Sequence, residues 1–176
     1  TCFSGIYTGY IASVPQIEEI FHFLDTFQTP DTFLLVDPVM GDDGMTYDMY
    51  TSEFLSAMKE LTARADVITP NITEFCLLTD MDYNTLQNSS LSLHQLISFL
   101  KDASHTLTAE RAKKILITGI RFTTDDGIPK IGNLLLDGSS HFLSAFPAAM
   151  EAIPVPVISL PPVSQVDLPA ELPLQK

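Results

Sequence analysis

The apolar run Thr32–Val36 stops abruptly at Asp37-Pro38-Val39-Met40-Gly41-Asp42-Asp43-Gly44. A continuous run of that length reads as a strand buried on both faces, which is the signature of a parallel sheet. About thirty residues later the pattern returns: a short strand over Asp66–Thr69 gives way to Pro70-Asn71-Ile72-Thr73-Glu74. Two strands that each end in acidic and hydroxyl side chains place those groups on one sheet edge. An α/β sheet binds its ligands there.

The segments between these strands have helical spacing. Ile17, Ile20, Phe21, Leu24 and Phe27 recur on one face, with Pro15 near the start and Pro30 beyond the end. Phe54, Leu55, Met58 and Leu61 mark a second helix, and Asn71 opens a third that runs through Leu78. A fourth fits Leu93–Leu100, with Ser92 as N-cap. Gly5–Tyr10 and Lys114–Thr118 read as strands, and Asp125-Asp126-Gly127 makes a turn before a strand over Ile131–Leu136. This alternation predicts an α/β fold in three layers, a mostly parallel sheet with helices on both faces.

The balance of charge narrows the function. The 176 residues carry a formal charge of -13, which leaves no basic surface for nucleic acid. It also repels phosphates, so nucleotide binding would need a cation such as magnesium. No apolar run is long enough to cross a bilayer. Cys2 and Cys76 are expected to be reduced thiols of a cytoplasmic protein. His22, His94, His105 and His141 are scattered without metal-site or triad spacing, and Gly41–Gly44 lacks the Lys-Ser/Thr ending of a P-loop.

Several residues could carry chemistry, each with a plainer alternative. Asp37 and Asp42 could position hydrated magnesium and phosphates, or simply bond local amides in a polar turn. Asn71 and Glu74 have the spacing of a capping box, which does not exclude a metal role for Glu74. Thr118 could reach a phosphate or merely end its strand. Tyr10 and Tyr47 could pack over a bound ring or cover the core.

In order and spacing, Thr8-Gly9-Tyr10, Val36–Asp42, Gly44–Tyr47, Ile68-Thr69-Pro70-Asn71 with Glu74, and Ile117-Thr118-Gly119 resemble pyridoxal kinases of the ribokinase-like superfamily. The resemblance covers roughly Thr1–Leu136 and is nearest the bacterial pyridoxamine kinases. Hydroxymethylpyrimidine phosphate kinases share the Asp-Pro-Val-Met run, but Gly41-Asp42-Asp43-Gly44 favours the pyridoxal branch. It implies MgATP-dependent phosphorylation of the 5′-hydroxyl of pyridoxal, pyridoxine or pyridoxamine by a cytoplasmic enzyme that is a homodimer at full length. By that likeness Asp37, Asp42, Thr69, Tyr47 and Thr118 would serve the nucleotide. Glu74 would hold magnesium through water, and Tyr10 would lie on the substrate side.

Two departures qualify the expected activity. The family's first strand and substrate segment are missing, so the chain reads as an internal piece. Its Gly-Thr-Gly-Asp loop is also missing, since no glycine-flanked aspartate follows Gly138. With that loop goes the catalytic base, and the chain is expected to be inactive. A non-catalytic nucleotide-binding protein is the alternative from another class.

The tail differs in composition. More than half of the 12 prolines lie from Pro147 onward. Residues 1–141 are therefore expected to form a partial kinase domain and residues 142–176 an atypical proline-rich tail. Ile153–Ile158 back-translates to codons that, in a shifted frame, permit Ser-Gly-Thr-Gly-Asp. A frameshift near Phe142 to Met150 would account for both the tail and the missing loop. Sequencing the encoding DNA tests it.

Overall fold

The computed structural model describes residues 3–89, 91–108 and 113–148. Its main sheet has six strands in the order β1-β2-β5-β6-β7-β8, formed by Gly5–Thr8 (β1), Phe33–Val36 (β2), Val67–Ile68 (β5), Lys114–Thr123 (β6), Pro129–Asp137 (β7) and Ser140–Pro147 (β8). β1, β2, β5 and β6 pair in parallel, whereas β6, β7 and β8 form an antiparallel meander. Two short strands, Gly41–Asp42 (β3) and Met45–Thr46 (β4), make a separate hairpin.

Helices fill the crossovers: Val14–Phe27 (α1), Ser52–Arg64 (α2), Ile72–Leu78 (α3), Tyr83–Gln87 (α4) and Leu93–Thr108 (α5). Local chemistry fixes their ends. Proline stands in the first turn of α1, and Thr51 caps α2 by accepting the Phe54 amide at 3.1 Å. Asp82 caps α4 through the amides of Asn84 and Thr85.

The core lies on one side of the sheet. Leu34, Val36, Ile68, Ile115, Ile117, Leu134 and Leu136 share a face by register and are all buried. Ile17 and Leu24 of α1, Phe54, Met58 and Leu61 of α2, Phe75 of α3 and Leu100 of α5 complete the same core. Burying each such side chain stabilises the fold by about 1.5–3 kcal/mol. The alternate residues, including Tyr7, Phe33, Leu35, Val67, Leu116, Leu135 and Phe142, face the other way and are exposed or half-covered. The fold class is thus α/β with a mostly parallel sheet, as expected. Among the described residues, however, its helical layer covers one face only.

Several boundaries differ from those read in the sequence. β1 ends at Thr8, short of Tyr10. α5 continues past Leu100 to Thr108, through a Ser- and Thr-rich stretch that looks like loop. Ser104, Thr106 and Thr108 donate their hydroxyls to carbonyls of the preceding turn, so the helix absorbs them. β6 continues past Gly119 because that glycine, at φ +72°, forms a bulge between Ile117 and Ile120 and does not end the strand. The expected turn at Asp125–Gly127 joins β6 to β7, with Gly127 at φ +80°.

α4 and β8 were not anticipated. β8 runs through residues 141 and 142, across the expected start of the atypical tail, and pairs along its whole length with β7. Pro147 ends it, consistent with proline at a sheet edge. The tail from residue 149, Ile153–Ile158 included, lies outside the described residues, as does Cys2.

Candidate active site at the strand ends

Asp37 is the first residue past β2, and its amide bonds the Thr8 carbonyl at 2.9 Å. Two hydroxyls converge on its carboxylate: Thr69 donates to Oδ1 at 3.2 Å and Tyr7 to Oδ2 at 3.3 Å. β1, β2 and the segment after β5 therefore meet at this one side chain. The Asp37 charge also raises the pKa of the Tyr7 phenol, chiefly by direct repulsion of the phenolate.

Beside it, Asn71 and Glu74 form the capping box legible in the sequence. The Asn71 side chain accepts the Glu74 amide at 2.9 Å, and Glu74 Oε2 accepts the Asn71 amide at 2.8 Å. Glu74 does more than cap. Its Oε1 accepts the Met40 amide at 3.1 Å, stapling the loop after β2 to the start of α3. The residue is only 4% exposed, and burial pushes its carboxyl up to about 7. The Asn71 and Met40 amides oppose that shift, and the nearby Asp37 charge adds to it.

The glycine- and aspartate-rich stretch folds as the β3–β4 hairpin. Asp43 and Gly44 occupy its turn with φ of +46° and +77°, the pairing a two-residue type I′ turn requires. At Gly41 a Cβ would stand 2.2 Å from the Met45 carbonyl oxygen, so only glycine lets the two strands close. Three bonds moor the hairpin. Asn71 Nδ2 donates to the Gly41 carbonyl at 2.7 Å, the Gly44 amide donates to Thr73 Oγ1 at 2.9 Å, and Arg121 pairs with Asp43 at 2.6 Å.

The expected site residues fall into three groups. Asp37, Thr69 and Glu74 come together at the strand ends. Thr118 joins them, because its amide bonds the Pro70 carbonyl at 2.9 Å and it bridges to Asn71. Tyr10 and Tyr47 line a cavity of about 670 Å³ with Val39, Thr46, Asp48 and Met49. Asp42 stands apart on the hairpin, exposed, its Oδ1 accepting the Asp43 amide at 2.9 Å.

The residues not singled out from the sequence are Tyr7, Thr73 and Arg121. Tyr7 lies one residue before the Thr8-Gly9-Tyr10 run, and Thr73 sits inside the capping box. Arg121 is 78 residues from its Asp43 partner, and nothing local in the sequence signals that contact. Among the described residues no group of three or more His, Cys, Asp or Glu is placed to cage a metal.

Residues 3–146 match the family described as phosphomethylpyrimidine kinase. The chain belongs to that family. Its curated relatives include the pyridoxal kinase of Arabidopsis thaliana, 28% identical over 142 residues, covering 79% of this chain and 39% of the relative. A pyridoxal kinase from Actinobacillus pleuropneumoniae is 38% identical over 74 residues, covering 40% of this chain and 25% of the relative.

Solved structures of the family agree in fold. One, from Bacteroides thetaiotaomicron, is described as a phosphomethylpyrimidine kinase and was crystallised with pyridoxal. It is 30% identical with a TM-score of 0.69, over 84% of this chain and 49% of that one. The pyridoxal kinase of Lactobacillus plantarum is 28% identical with a TM-score of 0.63, over 84% and 48% respectively. The ribokinase-like fold and the kinship with pyridoxal kinases are therefore established. The chain spans about half the length of these solved relatives and two fifths or less of the curated ones.

No helix among the described residues is long and apolar enough to cross a membrane. Cys76 is free and buried, and burial pushes its thiol up to about 11, which keeps it protonated and unreactive.

Proposed function

We infer that the chain carries the MgATP side of a pyridoxal kinase-type site, in a cytoplasmic protein acting on vitamin B6. The observation that carries this is the convergence of Tyr7 and Thr69 on Asp37, next to the staple from Glu74 to Met40. Phosphoryl transfer asks a protein mainly for positioning and charge compensation. Asp37 provides a fixed carboxylate that hydrated magnesium can approach, since that ion needs only one or two carboxylates and keeps several waters. Bound magnesium would offset phosphate charge that this acidic chain otherwise repels.

The other residues have supporting roles. Thr69 holds Asp37 in place, and Thr118 offers a hydroxyl beside Asn71. Asp42, exposed on the hairpin, would serve the phosphates from there. Tyr47 and Tyr10 flank the cavity where nucleotide and pyridoxal would meet. Glu74 would hold magnesium through water, while its two oxygens accept the Met40 and Asn71 amides and fix the loop that carries Asp42.

Because the sequence has no Gly-Thr-Gly-Asp loop, no residue is assigned as the base that deprotonates the substrate hydroxyl. The expected behaviour is nucleotide binding without turnover. Calorimetric titration of the whole chain with MgADP tests the first part, and a pyridoxal 5′-phosphate absorbance assay tests the second. Saturable, magnesium-dependent binding that Asp37→Asn weakens supports the site. Absence of binding by the wild-type chain rules it out, and turnover would overturn the missing base. Phosphorylation of hydroxymethylpyrimidine phosphate in place of pyridoxal would move the chain to the other branch of its family.

A further inference from the structure

Positive charge is scarce at the sheet edge where phosphates would lie, since the chain has nine lysines and arginines against 22 acids. Among the described residues, Lys101, Lys113 and Lys114 line one cavity at the opposite edge, by the start of β6. Lys59 and Arg64 of α2 pair with Asp80 and Asp25. That leaves Arg121 and Lys130 near the end that bears Asp37 and Thr118, and Lys130 interacts by charge with Asp126 in the β6–β7 turn. Arg121 follows Thr118 by three residues, past the Gly119 bulge, and meets Asp43 at the hairpin tip at 2.6 Å. Tyr83 backs the same tip. Its ring fills the space a Cβ at Gly44 would occupy, and the charges of both Asp43 and Arg121 reach its phenol.

We propose that Arg121 binds the phosphates of a nucleoside diphosphate, and that Asp43 is the resting partner it leaves to do so. The inference rests on the nucleotide reading above and adds a cation to it. Exposure is the first reason. The side chains of Arg121 and Asp43 are 45% and 64% exposed, and an ion pair so open to water contributes little, so little is lost when it parts. A diphosphate offers the planar guanidinium fork stronger, bidentate bonds. Position is the second. Asp43 directly follows Asp42, the residue expected to serve the phosphates, and Asn71 ties the hairpin to the Thr118 end of β6. Rotation of one long side chain is the motion required. The hairpin stays in place meanwhile, because Asn71 still holds the Gly41 carbonyl and Thr73 the Gly44 amide. Charge is the third reason. Magnesium still leaves ADP with net negative charge, which a chain of -13 repels unless a cation of its own stands there.

Titration calorimetry of the whole chain with MgADP, and with adenosine alongside, tests the assignment. Arg121→Gln should weaken MgADP about tenfold and leave adenosine unchanged, because only the phosphates lose a partner. Asp43→Asn should act with the opposite sign. It removes the competing carboxylate, so MgADP should bind roughly two- to fivefold more tightly. Asparagine also suits the left-handed backbone there, at φ +46°. In the double variant Asp43→Asn should bring no gain, since Arg121 is no longer present to be released. Unchanged MgADP affinity in Arg121→Gln, beside a wild type that binds, overturns the proposal and leaves the nucleotide site standing. An equal loss for adenosine overturns it too. So does weaker MgADP binding by Asp43→Asn, which would make the pair a mooring of the hairpin alone. A wild type that binds no MgADP removes the nucleotide site and this inference with it. If Arg121→Gln fails to fold, the sign of the Asp43→Asn effect decides.

Discussion

Glu74 and Met40 are joined by a buried hydrogen bond of 3.1 Å that spans 34 residues of sequence. One carboxylate thereby sets both the start of α3 and the course of the chain after β2. Glu74→Ala removes the acceptor for two amides at once. The expected cost at about pH 5 is about 2–4 kcal/mol, read as a lower urea midpoint, because buried donors left without partners forfeit their desolvation energy. Glu74→Gln should recover part of it, since one amide oxygen can still accept.

The same carboxyl gives stability a pH dependence of definite sign. Its pKa rises from 4.5 to about 7 on folding, so between those values the folded state holds more protons than the unfolded one. The contribution is full below about pH 4.5 and is lost as pH rises through about 7. Its size is on the order of 3 kcal/mol. Chemical melts of wild type and Glu74→Ala from pH 5 to pH 8 should therefore converge as pH rises. A constant gap would show that Glu74 is ionised throughout.

Thr69→Val should leave the fold intact but loosen Asp37. A lost hydroxyl bond to a carboxylate is worth about 1–2 kcal/mol, so MgADP affinity should fall roughly 5- to 30-fold. Titration calorimetry measures this, and far-ultraviolet circular dichroism should be unchanged. An equal loss in Tyr7→Phe would show that both hydroxyls hold the carboxylate.

Gly41→Ala should open the β3–β4 hairpin, because its Cβ would collide with the Met45 carbonyl. Amide exchange over residues 41–46 should accelerate, and stability should fall by about 1–3 kcal/mol. Arg121→Ala is the contrasting case. Its pair with Asp43 is exposed on both sides, so the loss should stay below about 1 kcal/mol and vanish in high salt.

Sequence alone was most informative where local chemistry dictates local structure. The apolar run before Asp37 forms a parallel strand and the Asn71–Glu74 spacing a capping box, as read, because strand formation and helix capping are properties of a few adjacent residues. Among the described residues, however, that strand is buried on one face only. The Ser- and Thr-rich end of α5 was not legible, since whether a hydroxyl caps or joins a helix depends on the carbonyls it meets. Gly119 was read as a strand end for a similar reason: a bulge is visible only against its partner strand. The contacts of Arg121 with Asp43 and of Glu74 with Met40 are set by tertiary approach. No pattern in the sequence announces them.

The bulge at Gly119 also has a bearing on the order in which the molecule assembles. It lies in β6, the strand shared by the antiparallel meander and the parallel half of the sheet. The meander is joined by short turns, so its contacts are local and cost little loop entropy to close. β5, β2 and β1 must wait for helical crossovers before they can pair. β6 would then serve as the template on which the parallel strands add one by one. Asp37, Thr69 and Tyr7 all belong to that later half, so the candidate site would be the last part of the chain to form and, on the return path, the first to come apart.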